Sequence, residues 1–230
     1  MTQDEIIKLQ HHILFGLRMM ENTTGFLTHI DKKTNGFFIE AGAHKGLEQS
    51  PTFFLETILG WSGLLIEPNP INFSHLQRNR KNSITENCAL VSPECNKKFM
   101  EMFQDSETDQ EMHIAGFMNT LEVIPDYISE KEYIEQYNRN KNKKKIQVET
   151  STLNSLLEKH NIENIDLCIF DVEGYELDLL KGFDLNKYKP KILFIEALGD
   201  KYINIIKNHM ESNNYKFIDK IYDNLVFKIN

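Results

Sequence analysis

The sequence predicts an α/β fold: a mostly parallel, doubly wound sheet with helices on both faces and an antiparallel hairpin at the C-terminal end. Three observations predict it. Short apolar runs, of the kind buried on both sides of a parallel sheet, alternate with segments whose apolar residues recur every three or four positions. Four of those runs stop at a carboxylate, namely Glu40, Glu67, Asp171 and Glu196. The chain closes on two strand-like segments that a tight polar turn can join.

Ile6, Leu9, Ile13, Leu17 and Met20 fall on one face of a helix, so residues 1–35 read as an N-terminal helical extension. Packing against the sheet is the main expectation, with homodimerisation or covering of a substrate as the alternative. Phe37, Phe38 and Ile39 form the first strand, which runs through Glu40 into a turn bearing Gly42 and Gly46. Phe53, Phe54, Leu55 and Ile58 predict a helix that Gly60 ends, and Gly63 to Ile66 a second buried strand that Glu67 and two prolines terminate. Phe73 and Leu76 mark a helix whose basic last turn, Arg78 to Lys81, suits its dipole.

Ile84 to Val91 reads as a third strand and Lys97 to Phe103 as a fourth, peripheral one. Residues 104–145 keep neither period, begin acidic and end in lysines and asparagines, which makes them an insert or lid within the domain. Thr150 to Thr152 offers capping hydroxyls to a helix bearing Leu153, Leu156 and Leu157. Ile165 to Phe170 is a strand ending at Asp171, and Gly182 is placed to stop the helix of Leu177 and Leu180. Ile192 to Ile195 is a strand ending at Glu196, and Ile203, Ile206 and Met210 mark the last helix. Lys216 to Tyr222 and Leu225 to Ile229 then make the hairpin, with Asp223 and Asn224 at its turn.

Composition narrows the function classes. At 230 residues with 40% hydrophobic and 26% charged residues, the chain is expected to form one soluble globular domain over 1–230. A net charge of −8 argues against sequence-independent nucleic-acid binding, which needs a basic face. No run approaches the roughly 20 apolar residues that span a bilayer. Cys88, Cys95 and Cys168 form no Cys-x-x-Cys pair, and the N-terminus looks unlike a secretory signal, so a reducing, cytoplasmic setting is expected.

Ligands of doubly wound sheets bind at the carboxyl ends of the strands, so the four strand-end acids should converge on one crevice. Between Gly46 and Glu67 lie roughly 20 positions, the spacing at which a second strand delivers a carboxylate to a ribose. The pattern Glu40-x-Gly42-x-x-x-Gly46 lacks the Gly-x-Gly-x-x-Gly spacing of dinucleotide sites, and a carboxylate there repels a pyrophosphate. S-adenosylmethionine carries no phosphate, and acids can stabilise its ammonium and sulfonium. The two oxygens of Glu67 suit its ribose hydroxyls.

The run Phe38 to Gly46, then Phe54-Leu55-Glu56, Gly60 to Gly63 and Ile66 to Pro70, resembles the FkbM-type class I methyltransferases. Asn79 to Lys81, Asn87 to Leu90, Thr152-Leu153, Ile165 to Lys181 and Lys189 to Glu196 continue the similarity. The resemblance implies a Rossmann-like, seven-stranded sheet and transfer of a methyl group from S-adenosylmethionine to a hydroxyl, most often of a sugar. It implies that Glu40, Gly42 and Gly46 line the methionine half, that Ser50 reaches the methionine carboxylate, and that Glu67, with Pro68 and Asn69, holds the ribose. Asn87, Cys88 and Ala89 would then hold the adenine. The family often has asparagine where this chain has His44.

Methyl transfer to a hydroxyl needs in-line placement and a base for the proton. The candidates are Asp171, Glu196, His44 and Glu173, with Asp171 or Glu196 favoured and Asp171 also bordering the cofactor. Asp171, Glu173 and Glu196 could instead hold Mg²⁺ or Mn²⁺ through oxygen ligands. The expected acceptor is a small-molecule or glycan substrate, first a nucleotide-linked or polymer-bound sugar. The alternatives are a non-sugar metabolite and a non-catalytic binding module. A nicotinamide oxidoreductase is disfavoured by the glycine spacing and by Glu40.

Overall fold

A computed structural model describes residues 29–30, 33–47, 50–104 and 144–230. The helix expected over Ile6 to Met20 lies outside these residues, as does nearly all of the 104–145 segment. The first half of the described chain contains β1 (Phe37–Ala41), α1 (Thr52–Leu59), β2 (Ser62–Ile66), α2 (Pro70–Asn79), β3 (Ile84–Glu86), β4 (Ala89–Leu90) and β5 (Phe99–Gln104). The second half contains β6 (Lys144–Ser151), α3 (Leu153–Lys159), β7 (Leu167–Phe170), α4 (Glu176–Lys181) and α5 (Leu185–Tyr188). It ends with β8 (Ile192–Glu196), α6 (Asp200–Ser212), β9 (Tyr215–Ile221) and β10 (Asn224–Ile229).

A seven-stranded sheet has the order β3-β2-β1-β7-β8-β10-β9, in which β10 alone runs opposite to the other six strands. The fold is Rossmann-like. The chain winds outward from β1 in one direction through β2 and β3, then crosses to β7 on the other side, so the topological switch point lies between β1 and β7. Register aligns the strand ends there: Ala41 pairs with Ile66 and Phe170, and Phe170 with Ile195. The next residues, Gly42, Glu67, Asp171 and Glu196, therefore share one edge.

Side-chain alternation splits the core into two layers. Ile39, Ala41, Leu64, Ile66 and Phe170 face α3, α4 and α6 through Leu157, Leu179 and Ile206. Phe38, Leu65, Ile169 and Phe194 face the other way, onto Leu55 of α1 and Leu76 of α2. Glu40 has the parity of Phe38 and points into that second layer.

Several sequence expectations change. The single strand expected over Ile84 to Val91 is two, because the chain leaves the main sheet after Glu86 and β4 pairs with β6 instead. β4, β6 and β5 form an accessory three-stranded sheet. Strand β6 was hidden by its lysines, yet Ile146, Val148 and Thr150 alternate along it. Gly182 does follow α4, but at φ −85 its role is space, since a Cβ would lie 2.6 Å from the Val91 carbonyl oxygen. The hairpin turn is Tyr222-Asp223, one residue earlier than expected, with Tyr222 at φ +52 and Asn224 already paired with Ile221. Among the described residues no helix is long and apolar enough to cross a membrane.

Candidate active site

The turn after β1 is built by exclusion. Gly42 has φ +84, and a Cβ there would sit 1.8 Å from the backbone oxygen of Asp171. Only glycine lets the β1 and β7 turns touch. The amides of Gly42 and Ala43 donate to the carbonyl of Ile66 at 3.0 and 3.1 Å, which fixes the turn to β2. Beside it opens a crevice lined by Ala41, Gly42, Ile66, Glu67, Pro68, Cys88, Ala89, Leu90, Met102, Asp171, Val172, Glu173 and Tyr175.

Glu67 anchors one end. It is 5% exposed, and its two carboxylate oxygens accept the amides of Asn69 at 2.8 Å and His44 at 2.9 Å. Burial pushes its pKa up to about 7 against the pull of those two bonds. Each oxygen retains a second lone pair, so the carboxylate can take a vicinal diol while holding both turns. Next to it, Ile66, Pro68, Cys88, Ala89, Leu90 and Met102 make an apolar slot. A diol acceptor beside an apolar slot fits a nucleoside.

The other end is acidic. Asp171 lines the crevice and hydrogen-bonds the side chain of Glu196, its neighbour across β7 and β8. Burial, then the charges of Asp171, Glu173 and Glu176, push Glu196 up to about 10. Burial and the Asp223 charge also raise Asp171. With Asp171 charged beside it, Glu196 is disfavoured in its charged form, because two carboxyls in contact cannot both ionise cheaply. Among the described residues no three His, Cys, Asp or Glu side chains form a group that could hold a metal ion, so Asp171, Glu173 and Glu196 do not meet in the geometry expected of Mg²⁺ or Mn²⁺ ligands.

Of the residues singled out in the sequence, Gly42, Glu67, Pro68, Cys88, Ala89, Asp171 and Glu173 line the crevice, and the others stand behind it. Glu40 accepts the hydroxyls of Ser50, at 2.8 Å, and Thr52, and burial raises its pKa against the pull of Arg80. Ser50 in turn accepts from Arg80 Nη1 at 2.8 Å. Gly46, at φ +73, makes room for Leu76 and Arg80. Asn69 caps α2 by accepting the Ile71 amide at 2.9 Å, and Asn87 Nδ2 donates to the carbonyls of Glu67 and Pro68 at 2.7 and 2.9 Å. His44 adopts φ +49, a region that asparagine and histidine tolerate better than most residues, and contributes its amide to Glu67.

Three residues escaped the sequence reading. Arg80 is 1% exposed and pairs with Glu56 at 2.9 Å beneath the β1 turn. Glu176, also 1% exposed, braces the 171–175 loop: its Oε1 accepts the amides of Val172 and Gly174 at 3.0 and 3.1 Å, and its Oε2 the Tyr202 hydroxyl at 2.9 Å. Met102 reaches the crevice from the accessory sheet. Arg80 sat in a basic last helical turn whose charges read as suiting the helix dipole, and Met102 on a strand that read as peripheral. Glu176, as the first residue of α4, carried the one legible signal, an acid where a helix begins.

Solved structures with a similar fold include precorrin-6y C5,15-methyltransferase from Geobacter metallireducens GS-15, at 8% identity over 88% of this chain and 84% of that chain with a TM-score of 0.47. The human methyltransferase 10 domain containing protein aligns at 11% identity over 93% and 80%, TM-score 0.47. A TehB-like S-adenosylmethionine-dependent methyltransferase from Corynebacterium glutamicum aligns at 7% over 96% and 99%, TM-score 0.44. No curated protein matches the sequence. Residues 40–217 match the Methyltransferase FkbM domain. That match runs from Glu40 in the first strand to the terminal hairpin and takes in every residue lining the crevice, so the chain belongs to the FkbM methyltransferase family.

Proposed function

We propose that this methyltransferase transfers the methyl group of S-adenosylmethionine to a hydroxyl of a sugar, presented as a nucleotide-linked sugar or as a glycan unit. The observation that carries the reading is the contact between Asp171, which lines the crevice together with Glu67, and Glu196 at the end of the neighbouring strand. Bound S-adenosylmethionine supplies a methyl group already activated on a sulfonium. Glu67 accepts the ribose hydroxyls, the slot formed by Pro68, Cys88 and Ala89 takes the adenine, and Asp171 and Glu173 put negative charge near the cationic end. Asp171 would take the acceptor's hydroxyl proton as the oxygen–carbon bond forms and the sulfur–carbon bond breaks. Glu196 orients Asp171 through the hydrogen bond between their side chains. Carboxylates are good acceptors for sugar hydroxyls, which supports a polyol over an apolar acceptor.

Incubation with methyl-labelled S-adenosylmethionine and a panel of nucleotide sugars and oligosaccharides tests this. The expected product is a labelled methyl ether that survives mild base. Label found only in a base-labile ester or in an amine overturns the hydroxyl assignment, and label confined to non-sugar alcohols overturns the sugar.

A further inference from the structure

The accessory sheet is attached to the main fold at the crevice. The chain leaves the main sheet after Glu86, and β4, which begins directly after Cys88, pairs with β6 through Ala89–Thr150 and Leu90–Ser151. β6 then pairs with β5, placing Met100 opposite Val148 and Met102 opposite Ile146. Met100 and Met102 share one face of β5 by alternation. There they form a separate small core with Ala89, Val91 and Val148, onto which Tyr175 packs from the 171–175 loop. Met102 is 3% exposed, yet it lines the crevice together with Ala89 and Tyr175.

We infer that Met102 is a cofactor-binding residue, forming the wall against which the adenine ring of S-adenosylmethionine packs. The inference rests on the cofactor reading above. Its basis is where the apolar surface lies. Asp171 and Glu173 make one part of the lining acidic, and Glu67 marks the diol site, which leaves the part shared by Cys88, Ala89 and Met102 for a flat apolar ring. A thioether suits that task, since sulfur and its flanking methylenes adapt in shape and make favourable contacts with aromatic rings. The accessory sheet thereby acquires a role: it delivers one side chain to a nucleoside slot that the main sheet leaves open.

Two measurements test the assignment with S-adenosylhomocysteine and adenosine as probes, neither of which needs a known acceptor. In protein labelled with ¹³C at its methionine methyls, the Met102 resonance, identified by its loss in Met102→Leu, should shift by ring current when either probe is added. In calorimetry, Met102→Ala should weaken both probes about tenfold, while Met102→Leu, which keeps an apolar side chain of similar volume, should stay close to the wild-type protein. Failure of the wild-type protein to bind S-adenosylhomocysteine would overturn the cofactor reading itself. If the wild-type protein binds while the Met102 methyl does not move, or if Met102→Ala binds adenosine unchanged, Met102 is not part of the slot. Should Met102→Ala fail to fold, the methyl resonance of the wild-type protein still decides.

Discussion

Glu67 Oε2 accepts the backbone amide of His44 at 2.9 Å, so the carboxylate that ends β2 also holds the turn that follows β1. With the pKa of Glu67 raised to about 7 by burial, much of the side chain is protonated at neutral pH in the free protein. Ribose hydroxyls donating to it favour the charged form. Binding of S-adenosylhomocysteine near pH 7 should therefore release a proton, and affinity should rise between pH 6 and pH 8. Calorimetry in two buffers of different ionisation enthalpy reads this directly; a binding heat independent of buffer would contradict the contact.

Arg80 and Glu56 are both buried beneath the same turn, and Arg80 also donates to the carbonyl of Gly46 at 3.2 Å. Removing one member of a buried pair leaves the other unpaired, at a cost of about 3–5 kcal/mol. Arg80→Met should lower the stability by that amount in urea denaturation. A loss below about 1 kcal/mol would show that water screens the pair.

Gly42 and Gly199 separate strain from space. Both have positive φ, but nothing lies within 4 Å of a Cβ on Gly199, whereas on Gly42 it meets the Asp171 backbone. Gly199→Ala should cost about 1–3 kcal/mol of backbone strain, since φ +79 and ψ +141 lie near a region open essentially only to glycine. Gly42→Ala should in addition abolish S-adenosylhomocysteine binding, because β1 and β7 must part. Equal thermal shifts and equal binding in the two variants would refute the close approach.

Glu176 makes stability depend on pH. Burial pushes its pKa up to about 7 from an ordinary 4.5. Its contribution is complete below about pH 4.5, where the carboxyl is protonated folded or unfolded, and is lost as pH rises through 7, because the folded state holds the proton more tightly. The change is on the order of 3 kcal/mol. Glu176→Gln should flatten this slope between pH 5 and 8 in denaturation curves, and an unaltered slope would place its origin elsewhere.

The parallel strands and the edge they share were legible in the sequence because strands buried on both faces leave continuous apolar runs, as at Phe37 to Ile39 and Ile192 to Ile195. The placement of Glu40 was not. It lies one residue inside β1 rather than at its end, so the pleat turns it toward Arg80, and no local pattern marks a buried arginine 40 positions later. The accessory sheet was hidden for a similar reason, since β4 has only two residues and its partner β6 follows a long insertion. Glu67 and Asp171, whose positions depend only on where a strand stops, fell where the pattern placed them.

Titration of the purified protein with S-adenosylhomocysteine, beside Glu67→Ala, tests the central claim most directly. The account predicts saturable one-to-one binding by the wild-type protein and at least a tenfold loss in a Glu67→Ala variant that remains folded, in line with the ~1.5–3 kcal/mol of a hydrogen bond to a charged group. Equal affinity in the two proteins, or no binding by the wild-type protein, would contradict it.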